Sequence, residues 1–273
     1  MSQQPLCLSP AELLAWEEDG FFVREAVFTD AELETFRAAA ERVVVGADRA
    51  ARVSAETYAI DGNRYAEGRG STIQWEHAEG SETLRVVEPF HHLDAALDRL
   101  IEDPRIVDPI CEILGGDRVA LFTDKLNLKR PGEGSRFQWH QDSPYWGHFC
   151  DHLDQLPNVM VTLDDASEEN GCFRVVRGSH REGLLPGKEG QGVLGPLFTD
   201  ERYFDVSAQV PAVVPAGSLV FFSPHTVHGS EPNHSERQRR ALVVTYQPAD
   251  KRMFKVPGTR NITGTRRAAA PAT

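Results

Sequence analysis

Val119-Ala-Leu-Phe-Thr-Asp-Lys-Leu-Asn-Leu-Lys129 marks the point at which the chain changes character. Helical patterns precede it. From it onward come short β-rich runs, Val159–Leu163, Cys172–Val176, Ala212–Val214, Ser218–Phe222 and Ala241–Tyr246, separated by Gly, Pro and Asn turns. Helices first and many short strands afterwards predict a mainly β fold, a barrel or jelly roll buttressed by helices.

Upstream of that stretch, Ser9-Pro10-Ala11-Glu12 puts a cap residue before a proline suited to the first helical position, and Leu13, Leu14 and Trp16 follow. Asp19-Gly20 breaks this helix, and Phe21-Phe22-Val23 reads as a short strand. Thr29-Asp30-Ala31-Glu32 has the form of a capping box ahead of Leu33, Phe36, Ala40 and Val43 at helical spacing. Residues 46–80 are polar and Gly-containing and read as loop. The helical stretch Leu93–Leu114 divides at Asp103-Pro104 and stops at Gly115-Gly116. Downstream, residues 181–210 read as a long loop and a candidate lid. The tail after Gly258, with Arg266-Arg267, is expected to be disordered, leaving one domain over 1–258 and a tail over 259–273.

The 273 residues suffice for a sizeable core, and 40% hydrophobic with 26% charged residues fits a globular protein. A formal charge of −12 disfavours a nucleic-acid surface. No apolar run approaches the ~20 residues of a membrane helix. Met1–Leu14 lacks the basic start and apolar stretch of a signal peptide. Cys7, Cys111, Cys150 and Cys172 are scattered without a C-x-x-C pair and read as free thiols in a reducing cytoplasm.

Phe137-Gln-Trp-His140-Gln-Asp142-Ser-Pro-Tyr-Trp146 carries His-x-Asp. Two residues apart on a strand, imidazole and carboxylate share a face and can converge on one ion. A distant second histidine would complete a two-His, one-carboxylate triad, which leaves positions open on an octahedral Fe(II). The dipeptide pattern alone is weak, because it also occurs at His92–Asp94 and His152–Asp154. His92–Asp94 opens a helical pattern, and His152–Asp154 reads as a solvated loop; only His140–Asp142 is bracketed by aromatics. Phe221-Phe222-Ser-Pro-His225-Thr-Val-His228-Gly-Ser230 offers His225 and His228. A lone histidine is more often a satisfied core or surface group, but His228 is followed by Gly229, which permits close backbone approach. Arg239 stands eleven residues beyond His228. A keto acid's distal carboxylate wants a planar, bidentate, permanently charged partner. Arg237, Arg239 and Arg240 compete for that role, and alternation puts Arg239 with Ala241 on one face and Arg240 with Leu242 on the other.

The chain resembles the phytanoyl-CoA dioxygenase family. The likeness runs from Asp19-Gly20-Phe21-Phe22 and Phe28-Thr29 through Asn127-Leu-Lys-Arg-Pro-Gly and Trp139-His-Gln-Asp142. It continues in Leu163-Asp-Asp, Glu169-Asn-Gly171-Cys, Gly178-Ser-His180 and His228-Gly-Ser-Glu-Pro-Asn233. The resemblance implies a double-stranded β-helix (jelly roll, cupin-like) that uses Fe(II), 2-oxoglutarate and O2. Its iron ligands fall on His140, Asp142 and His228, its keto-acid arginine on Arg239, and the serine after the distal histidine on Ser230. An upstream basic residue of the keto-acid pocket falls on Arg85, and a pocket methionine is replaced by Lys125. Gly178-Ser-His180 reads as a structural turn.

The resemblance further implies hydroxylation of an unactivated C–H bond in a small organic molecule, such as one of bacterial secondary metabolism. Asp142 fills the position where a halogenase would bind chloride, so hydroxylation is expected; desaturation, ring closure and epimerisation share the same ligands. Phe137, Tyr145 and Trp146 are the expected substrate contacts, with residues 181–210 closing over them. Lys125, Lys129 and Arg136 are basic residues near the mouth. Two rivals remain at this point, a cupin-like isomerase or hydrolase that needs no 2-oxoglutarate and a non-enzymatic binding protein.

Overall fold

A computed structural model describes residues 6–254 and 258–265. Both capping boxes form. Ser9 and Thr29 each accept the backbone N–H three residues on, while Glu12 and Glu32 reach back to the cap. Such caps contribute about 1 kcal/mol each. They start α1 (Pro10–Asp19) and α2 (Asp30–Arg52), with β1 (Phe21–Arg24) between them. Gly20, at φ +80°, ends α1 in the left-handed conformation that glycine adopts without steric cost.

Residues 46–80 are not the loop that their polarity predicts. Helix α2 runs on to Arg52, and β2 (Thr57–Ile60), β3 (Asn63–Gly68) and β4 (Ser71–Trp75) follow as hairpins. The cue was present in Ser71-Thr-Ile-Gln-Trp75, whose residues alternate buried and half-buried. Then come β5 (Leu84–Glu88), α3 (Ala95–Leu100), α4 (Pro104–Ile113), β6 (Arg118–Lys129), β7 (Phe137–His140) and the single turn α5 (Ser143–Trp146). The expected division at Asp103-Pro104 is where α4 begins, capped by Asp103. The chain continues through β8 (Asn158–Thr162), β9 (Arg174–Val176), β10 (Gln209–Pro211), β11 (Leu219–Phe222), β12 (His228–Ser230), β13 (Arg239–Pro248) and β14 (Arg260–Thr263). The strand expected at Ala212–Val214 lies slightly earlier, as β10, although Val214 still bridges to Ala166. The expectation of a disordered tail fails for β14, which pairs antiparallel with β6. Arg266-Arg267 lies outside the described residues.

The strands form two antiparallel sheets. The larger has the order β1-β11-β8-β13-β6-β5-β4-β3-β2, and the smaller is β10-β9-β12-β7. Their inner faces meet in a cluster where Phe173 and Val175 of the small sheet pack on Met160, Val220, Phe222 and Val243 of the large one. Helices cover the outer face of the large sheet, burying Leu97, Ile106 and Ile110 with Leu126, Leu128 and Leu242. Each fully buried side chain of this kind contributes about 1.5–3 kcal/mol. The outcome is a double-stranded β-helix with a helical buttress. No helix among the described residues is long and apolar enough to cross a membrane.

One polar contact ties strand to helix layer: the Tyr246 hydroxyl donates to the Ile101 carbonyl at 2.6 Å, and the side chain is fully buried. Tyr246→Phe would strand that carbonyl, so it should cost about 1–3 kcal/mol. Urea denaturation should show a lower midpoint with an unchanged slope.

Candidate metal and keto-acid site

Strand pairing, rather than proximity in sequence, assembles the centre of the cavity. In the β7–β12 ladder His140 and His228 are direct cross-strand partners, with ring centroids 4.1 Å apart. Gly229 makes the close pairing possible, since a Cβ there would stand 2.9 Å from the Phe137 carbonyl oxygen. Asp142 arrives differently from the expected strand alternation. Strand β7 ends at His140, and Asp142 has helical dihedrals at the start of α5, its N–H donating to the Pro224 carbonyl. That turn brings the carboxylate within 3.9 Å of His140 Nε2 and 3.8 Å of His228 Nε2. Both gaps are too long for hydrogen bonds.

Each ring is oriented from behind. His140 Nδ1 lies 2.7 Å from the Gln138 carbonyl, and His228 Nδ1 lies 2.9 Å from that of Thr226. A carbonyl only accepts, so Nδ1 carries the proton and Nε2 presents a lone pair to the shared gap. Burial, together with the other imidazole, pushes the His140 pKa down to about 3; burial also pushes His228 down. Two neutral imidazoles and a carboxylate converging on one gap form a donor set that suits a divalent transition metal.

These groups line a cavity of about 580 Å³ between the sheets, ample for a small ligand. Arg239 and Ser230 also line it, both buried, and among the described residues neither Arg239 Nε nor Ser230 Oγ has a hydrogen-bond partner. Buried polar atoms without partners are costly, so this corner fits a bound anion. Arg240 takes the other face, as alternation predicts, and its guanidinium binds Asp164 and Glu41. Arg85 reaches the cavity because it is the extra residue of a β-bulge, skipped between the Gln74↔Val86 and Trp75↔Leu84 pairs. Most of its donors are engaged by Ser135, Glu76 and the Arg136 carbonyl, and its guanidinium stacks 3.7 Å from the Phe137 ring centroid.

Three expected residues sit elsewhere than the sequence suggested. Trp146 packs against Phe122, Cys150 and Leu156, outside the cavity lining; Phe137 and Tyr145 do line it. Lys129 is not at the mouth but fully buried, donating to the carbonyls of Ser135 and Glu231, and burial with Arg239 and Arg85 nearby pushes it down to about 6. Lys125 lines the same cavity as Arg239, as expected, beside Glu88, and the charges of Glu88 and Asp142 act on it. His152 is buried against Gln247 instead of solvated, and His225 contacts Ser143. Gly178-Ser-His180 is the turn expected, with Ser179 Oγ bridging Val176 and Val227. The sequence reading missed the polar wall of Tyr65, Gln74 and His77, which comes from the strands taken for loop. From residues 181–210, Gln191, Leu194 and Phe198 line the cavity, and Asp61 of the β2–β3 turn accepts the N–H groups of Val193 and Leu194.

The family described as phytanoyl-CoA dioxygenase matches residues 16–241. L-proline trans-4-hydroxylase of Streptomyces griseoviridis is 31% identical over 194 residues, covering 62% of this chain and 69% of its own. Ectoine dioxygenase of Bordetella parapertussis is 28% identical over 254 residues, covering 88% and 75%. Among solved structures, EctD from S. alaskensis with 2-oxoglutarate and 5-hydroxyectoine has the same fold, with a TM-score of 0.69 at 22% identity and coverage of 100% and 88%.

Both site imidazoles titrate below their ordinary value of 6.5. As pH falls, the unfolded chain therefore takes up protons that the folded chain refuses, and stability declines between about pH 6.5 and 3. In the metal-free protein the denaturation midpoint should fall from about pH 7 to pH 5. His140→Gln/His228→Gln should flatten that decline; an equally steep decline in the double variant would assign it to other groups.

Proposed function

The chain belongs to the phytanoyl-CoA dioxygenase family, whose members are 2-oxoglutarate-dependent non-haem iron dioxygenases, and from that membership we propose that His140, Asp142 and His228 hold its Fe(II). One observation carries the assignment: two cross-strand Nε2 lone pairs and one carboxylate face a single buried gap. We propose Arg239 and Ser230 as the partners of the keto acid's distal carboxylate, since both offer unpaired donors in the same cavity. Arg85 adds positive charge to that corner. Bound iron supplies the redox chemistry by which O2 decarboxylates 2-oxoglutarate and oxidises a substrate C–H bond.

The chain's own residues orient and exclude. The Gln138 and Thr226 carbonyls fix the imidazole tautomers, so neutral pH leaves no proton to displace from Nε2. Met160, Phe173, Phe222 and Val243 give the site an apolar wall, and Leu194 and Phe198 limit entry of water. A small organic substrate, hydroxylated, is the proposed reaction; the relatives are named for proline and ectoine. A cupin-like isomerase would leave Arg239 without a carboxylate to receive.

Succinate formation from 2-oxoglutarate, Fe(II) and O2 tests this reading. His140→Ala or Asp142→Ala should abolish it, together with binding of one equivalent of divalent metal by calorimetry. Turnover persisting unchanged in His140→Ala would sink the ligand assignment. Arg239→Met should raise the KM for 2-oxoglutarate about tenfold to a hundredfold, the loss of charge-assisted bonds worth about 1.5–3 kcal/mol. Arg239→Lys should fall between, keeping charge but losing the planar fork.

A further inference from the structure

One pair of charges in the cavity is left unused by the keto-acid reading. Glu88 ends β5 and Lys125 lies mid-strand on β6. The ladder pairs Val86 with Asn127 and Val87 with Leu126, so the next step sets Glu88 opposite Lys125. Both line the cavity, and their side chains keep 34% and 22% exposure into it. Lys125 Nζ stands 3.8 Å from Glu88 Oε2, close enough to attract but too far to hydrogen-bond. Glu88 Oε1 accepts the Thr123 hydroxyl at 3.1 Å. Glu88 Oε2 and Lys125 Nζ form an open ion pair with each other, and among the described residues neither atom makes a hydrogen bond to any other residue. The charges acting on Lys125 are Glu88 and Asp142, and both carboxylates also act on the Tyr145 phenol. The pair lines the same cavity as the triad.

A strand-to-strand staple would close to hydrogen-bonding distance; this one leaves a gap with an acceptor on one side and a donor on the other. Enclosing a ligand removes water from both groups, and a buried charge without a partner is expensive. A ligand with a single charge would satisfy one group and strand the other. A ligand with both charges gives each a partner and leaves the net charge of the cavity unchanged.

We infer that Glu88 and Lys125 form the recognition site for a zwitterionic substrate of amino-acid size, its cationic nitrogen received by Glu88 and its anionic group by Lys125. This rests on the oxygenase reading for the chemistry, but it concerns only how the substrate is held. Tyr65, Gln74 and His77 supply neutral polar contacts for the remainder of the molecule. Lys125 thereby serves the substrate rather than the keto acid. Glu88 becomes a specificity-determining residue.

Calorimetric titration of the anaerobic Fe(II)- and 2-oxoglutarate-loaded full chain provides the test. The probes are the free proteinogenic L-amino acids and glycine betaine. For every amino acid that binds, its N-acetyl form, a lone anion, and its methyl ester, a lone cation, are added. At least one free zwitterion should bind, and each blocked form should bind about tenfold or more weakly, the loss of one charged contact. Glu88→Gln should weaken the free amino acid and the ester but not the N-acetyl form; Lys125→Met should weaken the free and N-acetyl forms but not the ester. Glu88→Asp should restore part of the affinity. The inference is overturned if no probe binds, if a blocked form matches the free one, or if either substitution weakens both blocked forms alike. The oxygenase reading is checked separately by unstimulated succinate formation in the unsubstituted protein. If that proceeds while no probe binds, only the substrate inference falls.

Discussion

Strand β13 is hydrogen-bonded to β6 along one edge and to β8 along the other, and every residue from Arg239 to Gln247 is buried. A strand so enclosed has no solvent to which a polar side chain can escape, so each polar group on it needs an internal partner. Tyr246 finds the Ile101 carbonyl below the sheet, and Arg240 finds Asp164 and Glu41. Arg239, one residue away, is turned by the pleat into the cavity, where its Nε finds no hydrogen-bond partner among the described residues. The ladder that holds helices to the sheet thus also delivers an unsatisfied cation to the interior.

Electrostatics and packing then act together in that interior. Burial disfavours charge on the imidazoles, the lysine and the arginine alike, and it depresses the pKa of His140, Lys129 and Arg239. Arg85, stacked on Phe137, and Arg239 carry the positive charge of one corner, while Asp142 stands by the two imidazoles. An anionic ligand at the first place and a divalent cation at the second would each offset the local imbalance.

Much of this was legible in the chain. The capping boxes at Ser9 and Thr29, the break at Gly20 and the split at Asp103-Pro104 are local chemistry, and local chemistry is written in neighbouring residues. So was the opposition of Arg239 and Arg240, because the period of a strand is fixed. What escaped were features set by partners distant in sequence. The hairpins β2–β4 carry polar side chains because β2 lies mostly exposed while Tyr65 and Gln74 of β3 and β4 line the cavity, and polarity reads as loop. Trp146 looked like a substrate contact from its place beside the motif, but the turn of α5 points it at Phe122. Arg85 needed a bulge, and His152 needed Gln247 ninety-five residues away.

The lining of the cavity has two origins. His140, Asp142, His228 and Arg239 come from the later part of the chain, on or beside strands locked by long ladders. Tyr65, Gln74 and His77, with the loop tied down by Asp61, come from hairpins at the far edge of the sheet and from the connection before β10. These edge segments can accept replacement, insertion or exchange without disturbing the ladders that hold the imidazoles. Lineages that keep the reactive centre while remodelling the outer wall could therefore acquire new substrates by small steps, and the architecture separates what must be inherited from what is free to diversify.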